Sequence, residues 1–233
     1  KDNIYKDTDI LGIVGYGNIG KRLKSILDNL NIKNIAYDPF VKSKRLSTID
    51  ELLEAEIISV HTPITFDTKY PTYSMINESF FNKSKCHSII NTSRGGIVSE
   101  SSVIDRKLSY IADVWEDEPS ANNDLVSYCY IATPHIAGHS FEGKVNGTID
   151  ILKALMSFLN FDESTVNKNL KIIEDFYPSQ KNYYGDLKDF NNNYDISQES
   201  KNFKDLFTKF PQNNFNKLRD RHAKRHDLSV YNI

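Results

Sequence analysis

The run Ile10-Leu11-Gly12-Ile13-Val14, continued without a break by Gly15-Tyr16-Gly17-Asn18-Ile19-Gly20, restricts the possible folds of this chain more than any other feature. A short apolar run of this kind suits a strand covered on both faces. Beyond the glycines, Ile19, Leu23, Ile26, Leu27 and Leu30 recur at helical spacing, so the glycines occupy a strand-to-helix corner. Gly15 permits the tight turn, Gly17 lets phosphates approach the backbone, and Gly20 lets the helix lie close on the sheet. The first helical residues, Asn18 and Ile19, then offer backbone N–H groups to a pyrophosphate.

The next strand, Asn34-Ile35-Ala36-Tyr37, ends at Asp38, about twenty residues past the turn, where a carboxylate accepts hydrogen bonds from the adenosine ribose. This predicts NAD as cofactor. Lys42, Lys44 and Arg45 follow and would suit a 2′-phosphate, but Asp38 repels one. The alternation continues with a helix across Thr48 to Ala55, the strand Ile57-Ile58-Ser59-Val60 and the loop His61-Thr62-Pro63. Loops at that end of a parallel sheet hold ligands, which makes Thr62 a cofactor-contact candidate; His61 reads as a packed loop histidine. Strands at Ser88–Asn91, Tyr110–Asp113 and Tyr130–Thr133 follow. The pattern predicts an α/β fold with a doubly wound parallel sheet of the Rossmann type.

Those last three strands run into polar signatures in fixed order. They are Asn91-Thr92-Ser93-Arg94-Gly95-Gly96, Asp113-Val114-Trp115-Glu116-Asp117-Glu118-Pro119 and Pro134-His135-Ile136-Ala137-Gly138. An arginine can grip a carboxylate with two prongs, a histidine can move a proton near neutral pH, and a glutamate can hold that histidine in place. Each has a plain alternative: Arg94 as a helix cap or surface partner, Glu118 as one charge of an acidic run, His135 as a satisfied loop histidine. Following strands that end at one sheet edge, the three read together as catalytic.

With 29 basic against 31 acidic residues and a net charge of −2, the chain has no overall field for nucleic acid or anionic lipid, and a small molecule is the expected partner. Cys86 and Cys129 lack metal or disulfide spacing, so neither a metal site nor a cystine scaffold is expected. No apolar run approaches the ~20 residues that cross a bilayer, and a cytoplasmic location is expected. From about Asn160 the sequence turns to Asn, Lys, Asp and Tyr, which divides the 233 residues into a cofactor domain over 1–160 and a second domain over 161–233. The span Val166–Phe210, with Asn191–Asn193, Tyr183, Tyr184, Phe190 and Phe203, reads as too polar for a deep core, and the basic residues Lys217, Arg219, Arg221, Lys224 and Arg225 as a solvated helix face. The helix from about Phe141 to Leu159 carries Val145, Ile149, Leu152, Met156 and Leu159 as a core-facing stripe.

These signatures resemble the D-isomer-specific 2-hydroxyacid dehydrogenase family over roughly residues 8 to 160. The stretch Pro134–Lys144 with Gly147-Thr148 resembles the branch that acts on a phosphorylated hydroxy acid. The stretch Asn214–Arg225, ending Leu228-Ser229-Val230-Tyr231, resembles the close of that branch's small α+β dimerisation domain. The resemblance implies that Arg94 binds the substrate carboxylate, His135 donates and accepts the proton, and Glu118 orients and charges His135. It further implies that Asp38, Thr62, Thr92, Ser93, Asp113 and Gly138 line the NAD site and that His139 stands where the branch more often has a substrate-contacting tyrosine. It implies a homodimer joined through the C-terminal region, and a substrate domain whose N-terminal half is absent here. Related 2-hydroxyacid substrates such as phosphoglycerate, or an interaction protein that senses NAD without catalysis, are the competing readings.

Overall fold

The computed structural model describes residues 5–44, 46–176, 194–209, 211–222 and 225–227. Readings placed on Arg45, Tyr183, Tyr184, Phe190, Asn191–Asn193, Lys224 and Leu228–Tyr231 lie outside the described residues. Six strands, β1 (Leu11–Val14), β2 (Asn34–Tyr37), β3 (Ile57–Val60), β4 (Ser88–Asn91), β5 (Ser109–Ala112) and β6 (Ile131–Ala132), form one sheet in the order β2-β1-β3-β4-β5-β6. Every pairing is parallel. Between the strands lie α1 (Asn18–Asn29), α2 (Ile49–Leu53), α3 (Glu78–Phe81), α4 (Glu100–Asp105) and α5 (Asn123–Tyr128). Helices α6 (Phe141–Phe158), α7 (Glu163–Phe176), α8 (Ile196–Phe207) and α9 (Pro211–Arg221) follow.

The central strands β1 and β3 are buried at every position, which is why they read as unbroken apolar runs rather than alternating ones. The chain crosses from β1 to the β2 side and from β3 to the β4 side. The carboxyl ends of the neighbouring strands β1 and β3 therefore flank the point where the winding reverses, and a crevice opens there. Helix starts are fixed locally: Thr48 and Glu51 form a reciprocal capping box on α2, and Asn77, Ser99 and Asn122 cap α3, α4 and α5.

The described chain groups into two compact units, and the grouping differs from the division at residue 160. One unit runs to Ile136 and takes in Ile196–His222; the other takes in Ala137–Asp195 and the described residues after His222. The polar segment expected to lack a core supplies part of the first unit's core. Phe203 and Phe207 of α8 are 2% and 0% exposed, stack on each other at 5.2 Å and meet Phe215 of α9 edge-on. The reason is spacing: Ser200, Phe203 and Phe207 lie three and four apart on one helical face, so a mostly polar sequence still buries one stripe. Each buried ring contributes on the order of 1.5–3 kcal/mol. Lys217, Arg219 and Arg221 lie on α9, whose Phe215 and Leu218 pack inward.

In the second unit Ser140 caps α6, accepting the Gly143 N–H at 3.0 Å. Glu142 accepts from the Asp227 backbone at 2.7 Å and pairs with His226 at 2.6 Å, while the Phe141 N–H donates to the Arg225 carbonyl at 2.9 Å. Of the expected α6 stripe, Met156 is buried, Val145, Ile149 and Leu152 are half-buried, and Leu159, the C-cap residue of the helix, is 54% exposed.

Candidate active site

At the β1–α1 corner Gly15 has φ 97°, which an L side chain rarely adopts, and a Cβ there would stand 2.5 Å from the His61 carbonyl. A Cβ on Gly20 would meet the Gly15 carbonyl at 2.0 Å, so α1 lies this close to the corner only because residue 20 is glycine. Gly17 is different, since a side chain there would meet nothing within 4 Å. The N-terminus of α1 has no side-chain cap, and Gly17, Asn18 and Ile19 are exposed. Free N–H groups and open space at one helix end suit a pyrophosphate.

A cavity of about 400 Å³ continues from this corner, lined among others by Gly15, Gly17, Asp38, Phe40, Thr62 and Tyr70. Asp38, the residue expected to meet a ribose, is held in place: its carboxylate accepts from the Tyr16 N–H at 2.9 Å and the Phe40 N–H at 3.0 Å. The Thr62 hydroxyl is buried and finds no partner among the described residues, an orphan that a ligand in the cavity would satisfy. These features fit NAD.

His61, on the same loop, is not a proton carrier at neutral pH. It meets the Ser59 hydroxyl at 2.9 Å, and burial pushes its pKa down to about 4. The unfolded chain takes up this proton near pH ~6.5 while the folded protein does not, so stability is lost as pH falls from ~6.5 toward ~4. The span corresponds to at most about 3 kcal/mol. His61→Gln is expected to flatten the acid side of a plot of urea midpoint against pH; an unchanged slope would count against a buried neutral imidazole.

At the far side of the sheet β4, β5 and β6 lie side by side, and their carboxyl ends carry the three polar loops. Asn91 shapes the first: its side chain accepts from the Ser93 N–H and hydroxyl at 3.2 and 3.1 Å and donates to the Arg94 carbonyl at 3.0 Å. Thr92 is half-buried, Ser93 is buried, and Arg94 is exposed, donating to its own neighbour's carbonyl, Ser93, at 2.6 Å. Gly95 lies flat against the next loop, where a Cβ would stand 1.9 Å from the Trp115 carbonyl.

Glu118 and His135, 17 residues apart in sequence, meet at 2.7 Å between Oε2 and Nδ1. The second carboxylate oxygen accepts the Trp115 N–H at 2.9 Å, so Glu118 is held from behind. Its neighbours Glu116 and Asp117 are exposed, which separates Glu118 from a solvated acidic run. With Nδ1 taken, Nε2 is the nitrogen of His135 open to a substrate. His135 has φ 57°, a conformation that surrounding structure must hold for a residue with a side chain. Asp113 supplies part of that hold. It is 3% exposed and accepts from the Thr133 hydroxyl at 2.6 Å and the Ile136 N–H at 2.8 Å, one partner on each side of His135.

Gly138 and His139 belong to the second unit, where Gly138 is exposed with open space at its α-carbon and His139 is half-buried. Sequence reasoning missed the part played by Trp115, whose indole N–H donates to the Thr133 carbonyl at 3.0 Å; its being the one tryptophan in the chain was the only signal. Among the described residues no cluster of His, Cys, Asp and Glu is placed to hold a metal ion.

Comparison with known proteins agrees with the fold. Residues 5–137 match the family described as D-isomer specific 2-hydroxyacid dehydrogenase, NAD binding domain. The chain is 40% identical over 159 residues to an erythronate-4-phosphate dehydrogenase of Wigglesworthia glossinidia brevipalpis, covering 64% of this chain and 42% of that protein. It is 33% identical over 224 residues to the protein of that name from Ruthia magnifica, covering 93% and 62%. The chain thus spans from under half to under two thirds of the length of these relatives. Among solved structures, an NAD+-bound 3-phosphoglycerate dehydrogenase of Entamoeba histolytica superposes with TM-score 0.54 at 31% identity over 65% of this chain and 52% of that one. A D-lactate dehydrogenase of Aquifex aeolicus with NAD and lactic acid gives 0.54 at 27% identity over 65% and 54%. The matched span reaches from before β1 to just past His135, and the chain belongs to the D-isomer-specific 2-hydroxyacid dehydrogenases and contains their NAD-binding domain.

Proposed function

We propose that this chain acts as an erythronate-4-phosphate dehydrogenase, oxidising 4-phospho-D-erythronate to its 2-oxo acid in pyridoxal phosphate formation. The observation that carries the proposal is the His135–Glu118 pair at 2.7 Å. The names of the relatives supply the substrate. Bound NAD would supply the hydride acceptor for the substrate's second carbon. The chain's own residues do the rest. The exposed guanidinium of Arg94 grips the substrate carboxylate and orients the carbon to be oxidised. His135 Nε2 takes the hydroxyl proton as the C=O bond forms, and Glu118 stabilises the resulting imidazolium while keeping Nδ1 protonated. In reduction the same nitrogen returns the proton. Asp38, Thr62, Thr92, Ser93, Asp113 and Gly138 are read as cofactor contacts and His139 as a substrate contact. A homodimer joined through the C-terminal region and a cytoplasmic location complete the proposal. Among the described residues no helix is long and apolar enough to cross a membrane.

The test is NADH formation with a panel of D-2-hydroxy acids. Turnover on 4-phospho-D-erythronate should exceed that on 3-phosphoglycerate or D-lactate by about 100-fold in kcat/KM. Equal rates on all three would overturn the substrate. NAD binding with no turnover on any would overturn the enzyme and favour a sensor.

A further inference from the structure

The proton-transfer pair rests on residues from far along the chain. Strand β6, which leads to His135, is an edge strand of two residues bonded to the sheet on one side only. Helix α8 lies along its other side. The Ser200 hydroxyl, in a residue 4% exposed, accepts the Ala132 N–H at 2.9 Å and so replaces the bond a further strand would have made. Lys204, one turn on, donates to the Cys129 carbonyl just before β6. Between them Phe203 packs against the Trp115 ring, with centroids 5.9 Å apart. Trp115 is where the two halves of the pair are joined: its backbone N–H holds Glu118 Oε1, and its indole N–H holds the Thr133 carbonyl two residues before His135.

We propose that α8 braces the catalytic pair, with Ser200 and Phe203 as positioning residues that set the Glu118–His135 contact through β6 and Trp115. The proposal rests on the dehydrogenase reading above for its catalytic consequence, though the contact itself exists without substrate. So short a strand has few ladder bonds, so one outer hydrogen bond is a large share of what fixes it. His135 sits in a backbone conformation that depends on such support. Proton transfer is steep in geometry: a misplacement of about 1 Å can reduce rates about 100-fold. If α8 merely sealed the sheet edge, losing these contacts would lower stability and leave each folded molecule as active as before.

The experiment uses the whole chain with NAD and compares Ser200→Ala and Phe203→Ala with the conservative Ser200→Thr and Phe203→Leu. Well below the melting temperature, the alanine variants are expected to reduce kcat about tenfold while the KM for NAD stays within about twofold, and the conservative variants to recover most of the loss. Two readouts need no substrate: fluorescence of Trp115, the sole tryptophan, and the downfield proton resonance of the His135–Glu118 hydrogen bond. In Phe203→Ala both should change; in Ser200→Ala the resonance should move or broaden. An unchanged resonance with unchanged kcat per folded molecule, alongside lower thermal stability, would overturn the brace. If Phe203→Ala does not fold, Ser200→Ala decides by the same criteria. A parent protein without turnover on any hydroxy acid would sink the dehydrogenase reading instead, and the resonance would still judge the brace.

Discussion

Replacing His135 with glutamine is expected to lower kcat by about 10³- to 10⁴-fold and to leave NAD affinity within about twofold. Glutamine keeps a donor that can reach Glu118 and roughly the imidazole's length, so the loop has no new void to collapse into. What it lacks is a group that accepts and returns a proton near neutral pH. The cofactor cavity lies at the other side of the sheet, lined by Gly15, Asp38 and Thr62, whereas the side-chain partner of His135 is Glu118, so binding and turnover should separate. Glu118→Gln provides the companion result. An amide in place of the carboxylate can leave Nδ1 unprotonated and the imidazolium without a counter-charge, and a loss of about 10²- to 10⁴-fold in kcat follows. Steady-state kinetics beside an NAD titration check both. Unchanged turnover in His135→Gln would remove the assignment outright.

The second large effect is at Arg94. Lysine there retains the positive charge but not the planar two-pronged donor set, and kcat/KM for the hydroxy acid is expected to fall about 100-fold, mostly through KM. Because Arg94 is exposed and its side chain donates to the Ser93 carbonyl next to it, thermal stability should hardly move. That separates loss of substrate grip from loss of fold. A KM for the acid that stays put in Arg94→Lys would show that the carboxylate is held elsewhere.

Much of this was legible in the chain because strands covered on both faces leave continuous apolar runs, and because a phosphate-binding corner permits only small residues at fixed offsets. Asp38 could be placed for the same reason, through its distance from the glycines. Glu118 and His135 were readable as residues following strands that had to end at one edge, though nothing in their spacing required 2.7 Å between them. The helix α8 was not readable as part of the sheet unit. A serine that completes an edge hydrogen bond and a lysine that caps carbonyls look like solvent-facing residues, and one aromatic stripe is faint amid Asn, Lys and Asp. Asp113 was singled out, but its two grips on the histidine loop depend on a strand 20 residues later.

The placement of α8 also has a consequence for synthesis. Residues through Ile136 leave the ribosome before the stretch Ala137–Asp195, all of which must be translated before Ser200 and Phe203 emerge. At ~5–20 residues per second that is roughly 3–12 s during which the nascent sheet carries a bare edge and an uncovered indole. Over that interval the young protein offers neighbours on the same polysome a surface for strand addition, and a chaperone that shields it would raise yield without touching the finished protein.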